Sequence, residues 1–427
     1  MAGRTLAEWL AYQERIHPRS MDFTLERIQA VLGRLGLLRP RARVITVGGT
    51  NGKGSVTAYL DAVLRAAGAR VGLYTSPHLS RYTERIRIDG REIDEAQLLA
   101  AFERVEAARG AVTLTFFEYA TAAALAAFAV EPLDFLVLEV GLGGRLDAVN
   151  ALDADAAVVA SVAFDHMEYL GTTLEAIGRE KAGIFRAGRP AIFGSRSMPA
   201  SVAEEAARRG APLEQLGRDF DFERTATGFD WWRGSERLAG LPAPGLPGPV
   251  QLTNAATALA VLAAGGWLPA AGAVAAGLAA TRLPGRFERH AGAVDWLFDV
   301  AHNPAAATAL ADAMREAPPR GRWILLAGIL ADKDAAAIGH ALAPALRADD
   351  VVCALTLDGE RGRPAAALAA ILAPILARSP VLAGSVTAGC EYAARVARPG
   401  DAVLVFGSFH TVGPAREWHR LYSAGLS

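Results

Sequence analysis

The stretch RVITVGGTNGKGSVTAYL, residues 43–60, determines the class of fold that this chain is expected to adopt. Its first five residues predict a buried strand, and the segment from Ser55 to Ala67 has the apolar spacing of a helix. A glycine-rich turn between a strand and a helix can wrap phosphates with its backbone N–H groups, and the helix N-terminus adds roughly half a positive charge. The stretch therefore predicts a phosphate-binding loop, in which Lys53 reaches the β- and γ-phosphates and the Ser55 hydroxyl joins a Mg²⁺ shell.

The loop departs from the usual phosphate-loop pattern GxxxxGK[ST] at two positions. Val47 stands where the pattern has its first glycine, and Gly54 separates Lys53 from Ser55. A glycine-rich turn with a solvated lysine is the alternative interpretation. The strand before the loop and the helix after it favour the phosphate site.

Length and composition exclude several classes of protein. A chain of 427 residues exceeds one hydrophobic core, so two domains are expected, and 52% hydrophobic with 21% charged residues indicates a globular protein. The net charge of −1 gives no overall attraction to nucleic acid or to an anionic membrane, and no apolar run reaches the ~20 residues of a membrane span. Cys353 and Cys390 cannot form a disulfide framework, and the segment from Met1 to Ile16 lacks the apolar core of a signal peptide. A cytoplasmic protein is expected.

Short apolar strands alternate with helical segments along most of the chain. This pattern predicts an α/β fold in which helices cover both faces of a parallel sheet. The predicted strands are 43–47, 70–74, 135–140, 156–161, 190–193, 294–300, 323–328, 350–355 and 402–406. The aromatic and glycine-rich stretch 221–250 predicts a β-rich excursion before a helix that starts near Asn254, and Pro284-Gly285 indicates a domain boundary within 281–290.

Ordered motifs between residues 44 and 413 resemble those of a known family. They are GTNGKGS (49–55), YTSPHL (74–79), YTERI (82–86), EVGLGGRLDA (139–148), DH (165–166), LG (170–171), EKAGI (180–184), PGR (284–286), DVAHNP (299–304) and GSF (407–409). Their order and spacing resemble the bacterial bifunctional dihydrofolate synthase/folylpolyglutamate synthases of the Mur ligase superfamily. The extra Gly54 in the loop is similar to the folate branch of that superfamily.

The resemblance implies a fold of two parts. Residues 1–285 would form a Mur-ligase-like P-loop ATPase domain with a parallel sheet, which also carries the pterin site. Residues 286–427 would form a smaller, Rossmann-like α/β domain for glutamate ligation. Motion at 281–290 would close the second domain over ATP. A monomer is expected.

A metal site is inferred from a carboxylate at the end of a strand and from three residues that the resemblance adds. Glu139 ends an apolar strand, where an α/β sheet places functional side chains, and it can bind Mg²⁺; an N-cap or salt-bridge role is the alternative. By resemblance, Ser76 is a further ligand and His166 binds a second Mg²⁺. Lys181 would be carbamylated by CO₂, which replaces a cation with a metal-binding anion. Without the resemblance, His166 would be interpreted as a structural histidine and Lys181 as a solvated lysine.

The same resemblance assigns residues to each substrate. ATP would contact Thr50, Asn51, Gly52, Lys53, Gly54, Ser55, Asn254, Arg286 and Asp299. The pterin would contact Thr115, Phe116, Phe117, Glu118, Leu146, Asp147 and Ala148, with Phe117 stacked on its ring and Asp147 accepting its N–H groups. Glutamate would contact His302 and Ser408. Ordinary alternatives are a core role for Phe117, a helix cap for Asn254 and a turn after a strand for residues 299–304.

The resemblance implies an ATP-dependent carboxylate–amine ligase. The substrate carboxylate would attack the γ-phosphorus of ATP, and the amine of L-glutamate would then displace phosphate from the acyl phosphate, with Lys53, His166 and Lys181 as the catalytic residues. Dihydropteroate and reduced folates are the expected acceptors. One rival is a Mur ligase that adds an amino acid to a peptidoglycan precursor, for which too few residues precede the first strand to form a UDP-binding domain. The other is a nucleotide-binding switch without ligase chemistry.

Overall fold

The computed structural model describes residues 4–424, which divide into two compact units. The N-terminal unit contains the chain up to Gly245 and the segment Leu252–Thr281. The C-terminal unit contains Leu246–Gln251 and the chain from Arg282 onward. The chain therefore passes between the units more than once, and the domain limits 1–285 and 286–427 stay a prediction.

An eight-stranded sheet forms the centre of the N-terminal unit. Its strands are β1 (Arg43–Gly48), β2 (Val71–Tyr74), β3 (Ile86–Ile88), β4 (Arg91–Glu92), β5 (Phe135–Glu139), β6 (Ala156–Val159), β7 (Ala191–Phe193) and β8 (Leu213–Gln215). They lie in the order β4-β3-β2-β5-β1-β6-β7-β8, with β3 and β4 antiparallel at one edge and the other neighbours parallel. The predicted α/β fold with a parallel sheet is confirmed, whereas the antiparallel edge was not predicted.

Helices pack around this sheet and complete the core of the unit. They are α1 (Leu6–Gln13), α2 (Glu26–Leu35), α3 (Lys53–Ala66), α4 (Glu95–Arg109), α5 (Phe116–Phe128), α6 (Met167–Leu170), α7 (Leu174–Ala182), α8 (Ala200–Arg209), α9 (Val250–Ala264) and α10 (Ala271–Ala280). Helix α3 is buried from Gly54 to Leu64, and α10 packs directly on it, because a Cβ atom at Gly277 would fall 2.5 Å from Val63 Cα. Within residues 4–424, no helix combines the length and the apolar character that a membrane crossing requires.

The predicted β-rich excursion is a three-stranded antiparallel sheet. It consists of β9 (Phe220–Arg224), β10 (Gly228–Arg233) and β11 (Glu236–Pro242). Trp231 of β10 is fully buried, and its indole Nε1 donates a hydrogen bond of 3.1 Å to the Ala256 carbonyl of α9. Helix α9 begins at Val250, earlier than the start near Asn254 that the sequence suggested. The physical reason is that the polar residues Gln251, Thr253 and Asn254 lie inside its first turns instead of capping it.

The C-terminal unit contains a six-stranded sheet with α/β connections. Its strands are β12 (Glu288–His290), β13 (Asp295–Asp299), β14 (Trp323–Ala327), β15 (Val351–Leu355), β16 (Val381–Ala383) and β17 (Ala402–Phe406), in the order β12-β13-β17-β14-β15-β16. The helices are α11 (Pro304–Glu316), α12 (Ala335–Leu342), α13 (Ala365–Leu376), α14 (Val386–Val396) and α15 (Phe409–Ala424). All neighbouring strands are parallel except β12 and β13, so the carboxyl ends of five strands meet at one edge of the sheet.

Candidate active site

The glycine loop joins β1 to α3 in a conformation that only glycine adopts easily at its last position. Gly52 precedes α3 with a φ of 88°, and a Cβ atom there would fall 2.6 Å from Asn254 Oδ1. The loop and the expected ATP residue Asn254 are therefore in contact. The first N–H groups of a helix lack partners within the helix, and a helix N-terminus that follows a glycine loop is a common anion site.

The tip of the loop is tied to the segment after β6. Ser161 binds Asn51 in both directions, since its Oγ accepts from the Asn51 N–H at 3.0 Å and donates to the Asn51 carbonyl at 2.9 Å. The Thr50 hydroxyl donates to the Ala163 carbonyl and accepts from the Ala163 N–H. Thr50 and Asn51 thus shape the loop. The sequence did not single out Ser161, although its position as the last residue of the predicted strand 156–161 was a signal for a polar residue at the site.

Two lysines meet at the Gly49 carbonyl. Lys53 Nζ donates to this oxygen at 3.0 Å and to the Thr50 carbonyl at 3.1 Å, while Lys181 Nζ donates to the Gly49 oxygen at 3.1 Å. Lys181 is only 4% exposed. Burial, together with the neighbouring charge of Lys53, lowers the pKa of Lys181 to about 7. The alternative interpretation of Lys181 as a solvated lysine is wrong, because its side chain is buried.

Glu139 lies beside this loop because β5 pairs with β1. The register places Glu139 opposite Val47, just before the glycine loop. The side chain is 5% exposed, and one carboxylate oxygen accepts a 3.1 Å hydrogen bond from the Ser76 N–H in the loop after β2. Two of the expected metal ligands are therefore in direct contact. Ser55 is buried in the first turn of α3.

His166 stands in a backbone conformation that is uncommon for a residue with a side chain. It precedes α6 with a φ of 50°, and its N–H donates to Asp165 Oδ1 at 2.9 Å. Strained residues of this kind cluster at functional sites. The charge of Asp165 also acts on Lys181, which places this corner of the chain near the two lysines.

The expected protein ligands supply only part of a Mg²⁺ coordination shell. Within residues 4–424, no group of three His, Cys, Asp or Glu side chains could hold a metal ion. Mg²⁺ commonly takes one or two carboxylates and completes its shell with water and substrate phosphates. Glu139 with the Ser55 and Ser76 hydroxyls fits such an incomplete protein shell next to a phosphate loop.

The expected pterin residues at 115–118 form the start of α5. The Thr115 hydroxyl and the Glu118 carboxylate cap this helix reciprocally, and Glu118 also pairs with Arg27 at 3.2 Å. Phe116 and Phe117 are half-buried, and Phe117 packs so closely on Gly141 that a Cβ atom there would fall 2.6 Å from Phe117 Cζ. Thr115 and Glu118 therefore have a structural role, while the two rings remain candidates for the pterin.

Asp147 organises the loop that follows β5. Its carboxylate accepts hydrogen bonds from the backbone N–H groups of Gly141, Leu142 and Val149 at 2.9–3.0 Å. Burial raises the pKa of Asp147 to about 6 in spite of these bonds. Leu146 is half-buried and Ala148 is buried beside it. Each carboxylate oxygen has two lone pairs, so Asp147 can accept a further hydrogen bond. A contact from Asp147 to a pterin stays a prediction.

In the C-terminal unit, Asp299 ends β13, and Arg286 lies near it, just before β12. Asp299 accepts hydrogen bonds from the N–H groups of Phe287 and Ala301, both at 2.8 Å. Burial raises the pKa of Asp299, against the opposing charge of Arg286. His302 Nδ1 lies 2.8 Å from the Val300 carbonyl, a contact that orients the imidazole ring.

Ser408 follows β17, the strand between β13 and β14. Its hydroxyl bonds the Thr411 side chain at 2.7 Å, and both are buried. His302 and Ser408 therefore follow adjacent strands at the same edge of the sheet. The sequence missed two buried cations at this edge, Lys333 and Arg363, of which Arg363 binds the carbonyls of residues 330, 331 and 333.

Two family models match the chain. The Mur ligase middle domain matches residues 47–219, and the glutamate ligase domain of Mur ligases matches residues 285–409.

Individual relatives are similar along almost the whole chain. The dihydrofolate synthase/folylpolyglutamate synthase of Escherichia coli (strain K12) is 44% identical over 418 residues, which covers 97% of this chain and 96% of that protein. The structure of E. coli FolC in complex with DHPP and ADP superposes with a TM-score of 0.93 at 42% identity and full coverage of both chains. A bifunctional folylpolyglutamate synthase/dihydrofolate synthase with Mn, AMPPNP and L-glutamate bound gives a TM-score of 0.90 at 42% identity, with 98% of each chain covered.

Proposed function

The chain belongs to the Mur ligase family and, within it, to the dihydrofolate synthase/folylpolyglutamate synthases, and from this premise we propose its reaction. It is an ATP-dependent ligase that joins L-glutamate to dihydropteroate, which forms dihydrofolate, and to the γ-carboxylate of reduced folates. ATP is the co-substrate and a divalent metal ion the cofactor, for which we propose two Mg²⁺ ions. We expect a monomer in the cytoplasm.

The convergence of Lys53 and Lys181 on the Gly49 carbonyl is the observation that carries this proposal. A nucleotide-binding switch needs one lysine at its phosphate loop. A second, buried amine whose pKa of about 7 leaves a substantial neutral fraction at that pH is useful to a site that turns it into an anion. The Mur ligase type of ligation has such a use for it, whereas a switch has none.

The reaction proceeds in two steps on the chain's own framework. The substrate carboxylate attacks the γ-phosphorus and forms an acyl phosphate, and ADP leaves. The amine of glutamate then adds to the acyl carbon, and phosphate leaves with formation of the amide. Lys53 and the N–H groups of the loop hold the phosphates, and the metal ion supplies charge neutralisation when bound. Glu139, Ser55, Ser76 and His166 are the proposed metal ligands.

Carbamylation of Lys181 follows from its surroundings. The neutral amine reacts with CO₂, loses one proton and becomes a carbamate anion. Two ammonium groups on one carbonyl oxygen repel each other, so the carbamate would replace this repulsion with an attraction to Lys53. The chain has three lysines, Lys53, Lys181 and Lys333, so a carbamate can be assigned.

Carbon-13 NMR of the protein under ¹³CO₂ tests this modification. A carbamate signal is expected in the wild type and in Lys333→Met, and it should be missing in Lys181→Met. Lys181→Ala should lose activity and regain part of it with acetate or formate. Full activity of Lys181→Ala without these acids would contradict the role.

An assay of ADP formation tests the function itself. Dihydropteroate or tetrahydrofolate is supplied, each with and without L-glutamate. Fast ADP release is expected only when a pterin substrate and glutamate are both present, with one amide formed per ADP. Phosphate release that required neither dihydropteroate nor tetrahydrofolate would contradict the ligase assignment and favour a nucleotide-binding switch.

A further inference from the structure

Arg85 is a buried cation that the reaction described so far does not use. It ends the 3₁₀ turn Tyr82–Arg85 before β3, and it is 8% exposed. Its Nε donates a 2.8 Å hydrogen bond to His78 Nδ1. Its guanidinium carbon lies 5.3 Å from the ring centre of Tyr82 and 5.6 Å from that of Phe116.

The charge of Arg85 is not balanced by a carboxylate. The polar and ring contacts of its guanidinium within residues 4–424 are an imidazole nitrogen, aromatic rings and the Tyr74 phenol, and no Asp or Glu in this range forms an ion pair with it. Arg27 of the same unit, by contrast, pairs with both Asp22 and Glu118. Aromatic faces offset only part of the desolvation of a buried guanidinium, so an anion from outside the chain is the missing partner.

The position of Arg85 indicates which anion this is. Its partner His78 belongs to the loop after β2, in which the Ser76 N–H binds Glu139. Its ring contact Phe116 begins α5, in the segment expected to meet the pterin. Arg85 therefore contacts both the loop that carries the proposed metal ligand Ser76 and the segment expected to meet the pterin. A substrate whose ring lies on the pterin segment and whose reacting carboxylate lies at the metal site passes this guanidinium.

The two acceptors differ in the number of their carboxylates. Dihydropteroate has one carboxylate, which is the group that reacts. A reduced folate ends in glutamate and has two, of which the γ-carboxylate reacts and the α-carboxylate does not. Two hydrogen bonds from a guanidinium to the reacting group would withdraw charge from the nucleophile. The α-carboxylate can accept them without this loss.

We propose that Arg85 binds the non-reacting α-carboxylate of the reduced folate, an inference that rests on the function proposed above. Arg85 is then a specificity-determining residue. It favours the addition of later glutamates and is not needed for the first. Its planar, two-pronged donor set matches a carboxylate, which a lysine matches less well.

The test compares kcat/KM for tetrahydrofolate with kcat/KM for dihydropteroate in the wild type and in Arg85→Ala. The ratio of the two should fall about 10- to 100-fold in the variant, the range expected for a lost charged hydrogen bond. Arg85→Lys should recover part of this ratio. Arg81→Ala is the matched control, because exposed Arg81 of the same turn pairs with Glu92. It should leave the ratio unchanged.

A substrate change separates binding from a purely structural role. The wild type should use the α-carboxamide of tetrahydrofolate as poorly as Arg85→Ala uses tetrahydrofolate, and Arg85→Ala should lose nothing further on the amide. Equal losses on both acceptors, or an amide used as well as the acid, would overturn the proposal. The amide experiment on the wild type decides the question even if Arg85→Ala fails to fold.

The outcomes also distinguish this inference from the function on which it rests. A wild type that ligates glutamate to neither acceptor refutes the function. A wild type that uses dihydropteroate and no folate refutes only the role of Arg85.

Discussion

Gly52 occupies a position in the phosphate loop that disfavours any side chain. Its positive φ disfavours a side chain, and Asn254 occupies the space that a Cβ atom would need. We expect Gly52→Ala to destabilise the protein by at least about 2 kcal/mol and to weaken ADP binding. Gly68→Ala is the control, because Gly68 has a similar φ of 86° with nothing within 4 Å of its Cβ position. Urea unfolding of both variants separates the contact from the backbone strain, and equal losses would contradict the contact.

Lys181 should make the stability of the nucleotide-free protein depend on pH. Its pKa is about 7 in the folded chain against the ordinary value of 10.5 for a lysine, so between these values the unfolded chain binds a proton that the folded chain does not. Stability therefore rises with pH across this window, and the penalty is complete below pH 7. In CO₂-free buffer, the free energy of unfolding of Lys181→Met should exceed that of the wild type by a few kcal/mol at pH 6 and by much less at pH 10.

Urea titrations at the two pH values measure this difference. Arg39→Met, at an exposed position, should give the same small difference at both. A gap between Lys181→Met and the wild type that does not change with pH would show that burial of the charge has no such effect.

Residues with a strand-end position could be predicted from the sequence, and residues defined by distant partners could not. Glu139 was inferred from the apolar strand before it, and the structure places it beside the phosphate loop. Ser161 and Arg85 were missed, because their importance depends on Asn51 and on Phe116, far away in the chain. The nearness of Lys181 to Lys53 was likewise beyond any local pattern and came from the resemblance alone.

At the scale of elements, the N-terminus of α5 depends on an ion pair with the start of α2. Arg27 binds Glu118, whose side chain is 4% exposed and which also caps the helix. Arg27→Met would leave a buried carboxylate without its cation, and we expect a loss of about 3 kcal/mol. Arg179→Met is the control, since its pair with Glu204 is more than half exposed and should contribute less than about 0.5 kcal/mol. Unfolding in urea measures both losses, and similar values would contradict the role of the buried pair.

The strands of the two sheets were predictable where they are apolar and buried on both faces. Strands β1, β5, β14 and β17 lie within a residue of their predicted limits. Strands β3 and β4 have three and two residues, too few for a periodic pattern to form. The start of α9 was placed too late, because polar residues in its first turn look like a cap in a sequence.

At the scale of the molecule, nucleotide and metal should stabilise the protein together. A ligand that binds only the folded state at 100 times its Kd adds about 2.7 kcal/mol. AMPPNP with Mg²⁺ should therefore raise the melting temperature by several degrees, and EDTA should remove most of this increase. Glu139→Ala should show little difference between the two conditions. A full increase in the presence of EDTA would mean that the metal does not contribute to nucleotide binding.

The overall α/β architecture followed from composition and periodicity, whereas the membership of one short segment did not. A six-residue segment, Leu246–Gln251, belongs to the C-terminal unit although the chain on either side of it belongs to the other. No change in composition marks so short a segment. Such membership depends on which core the residues touch, and that is a property of the folded chain only.

The packing of α10 on α3 has a consequence for the order of events during synthesis. Helix α3 follows the phosphate loop early in the chain. Helix α10, whose Gly277 sits against the α3 backbone, is made only after the strands of the eight-stranded sheet and of the small antiparallel sheet. Until then, one side of the nucleotide-binding helix is uncovered. A chain released from the ribosome that ends before residue 271 should therefore be a better target for chaperones and proteases than a released chain that ends after residue 281.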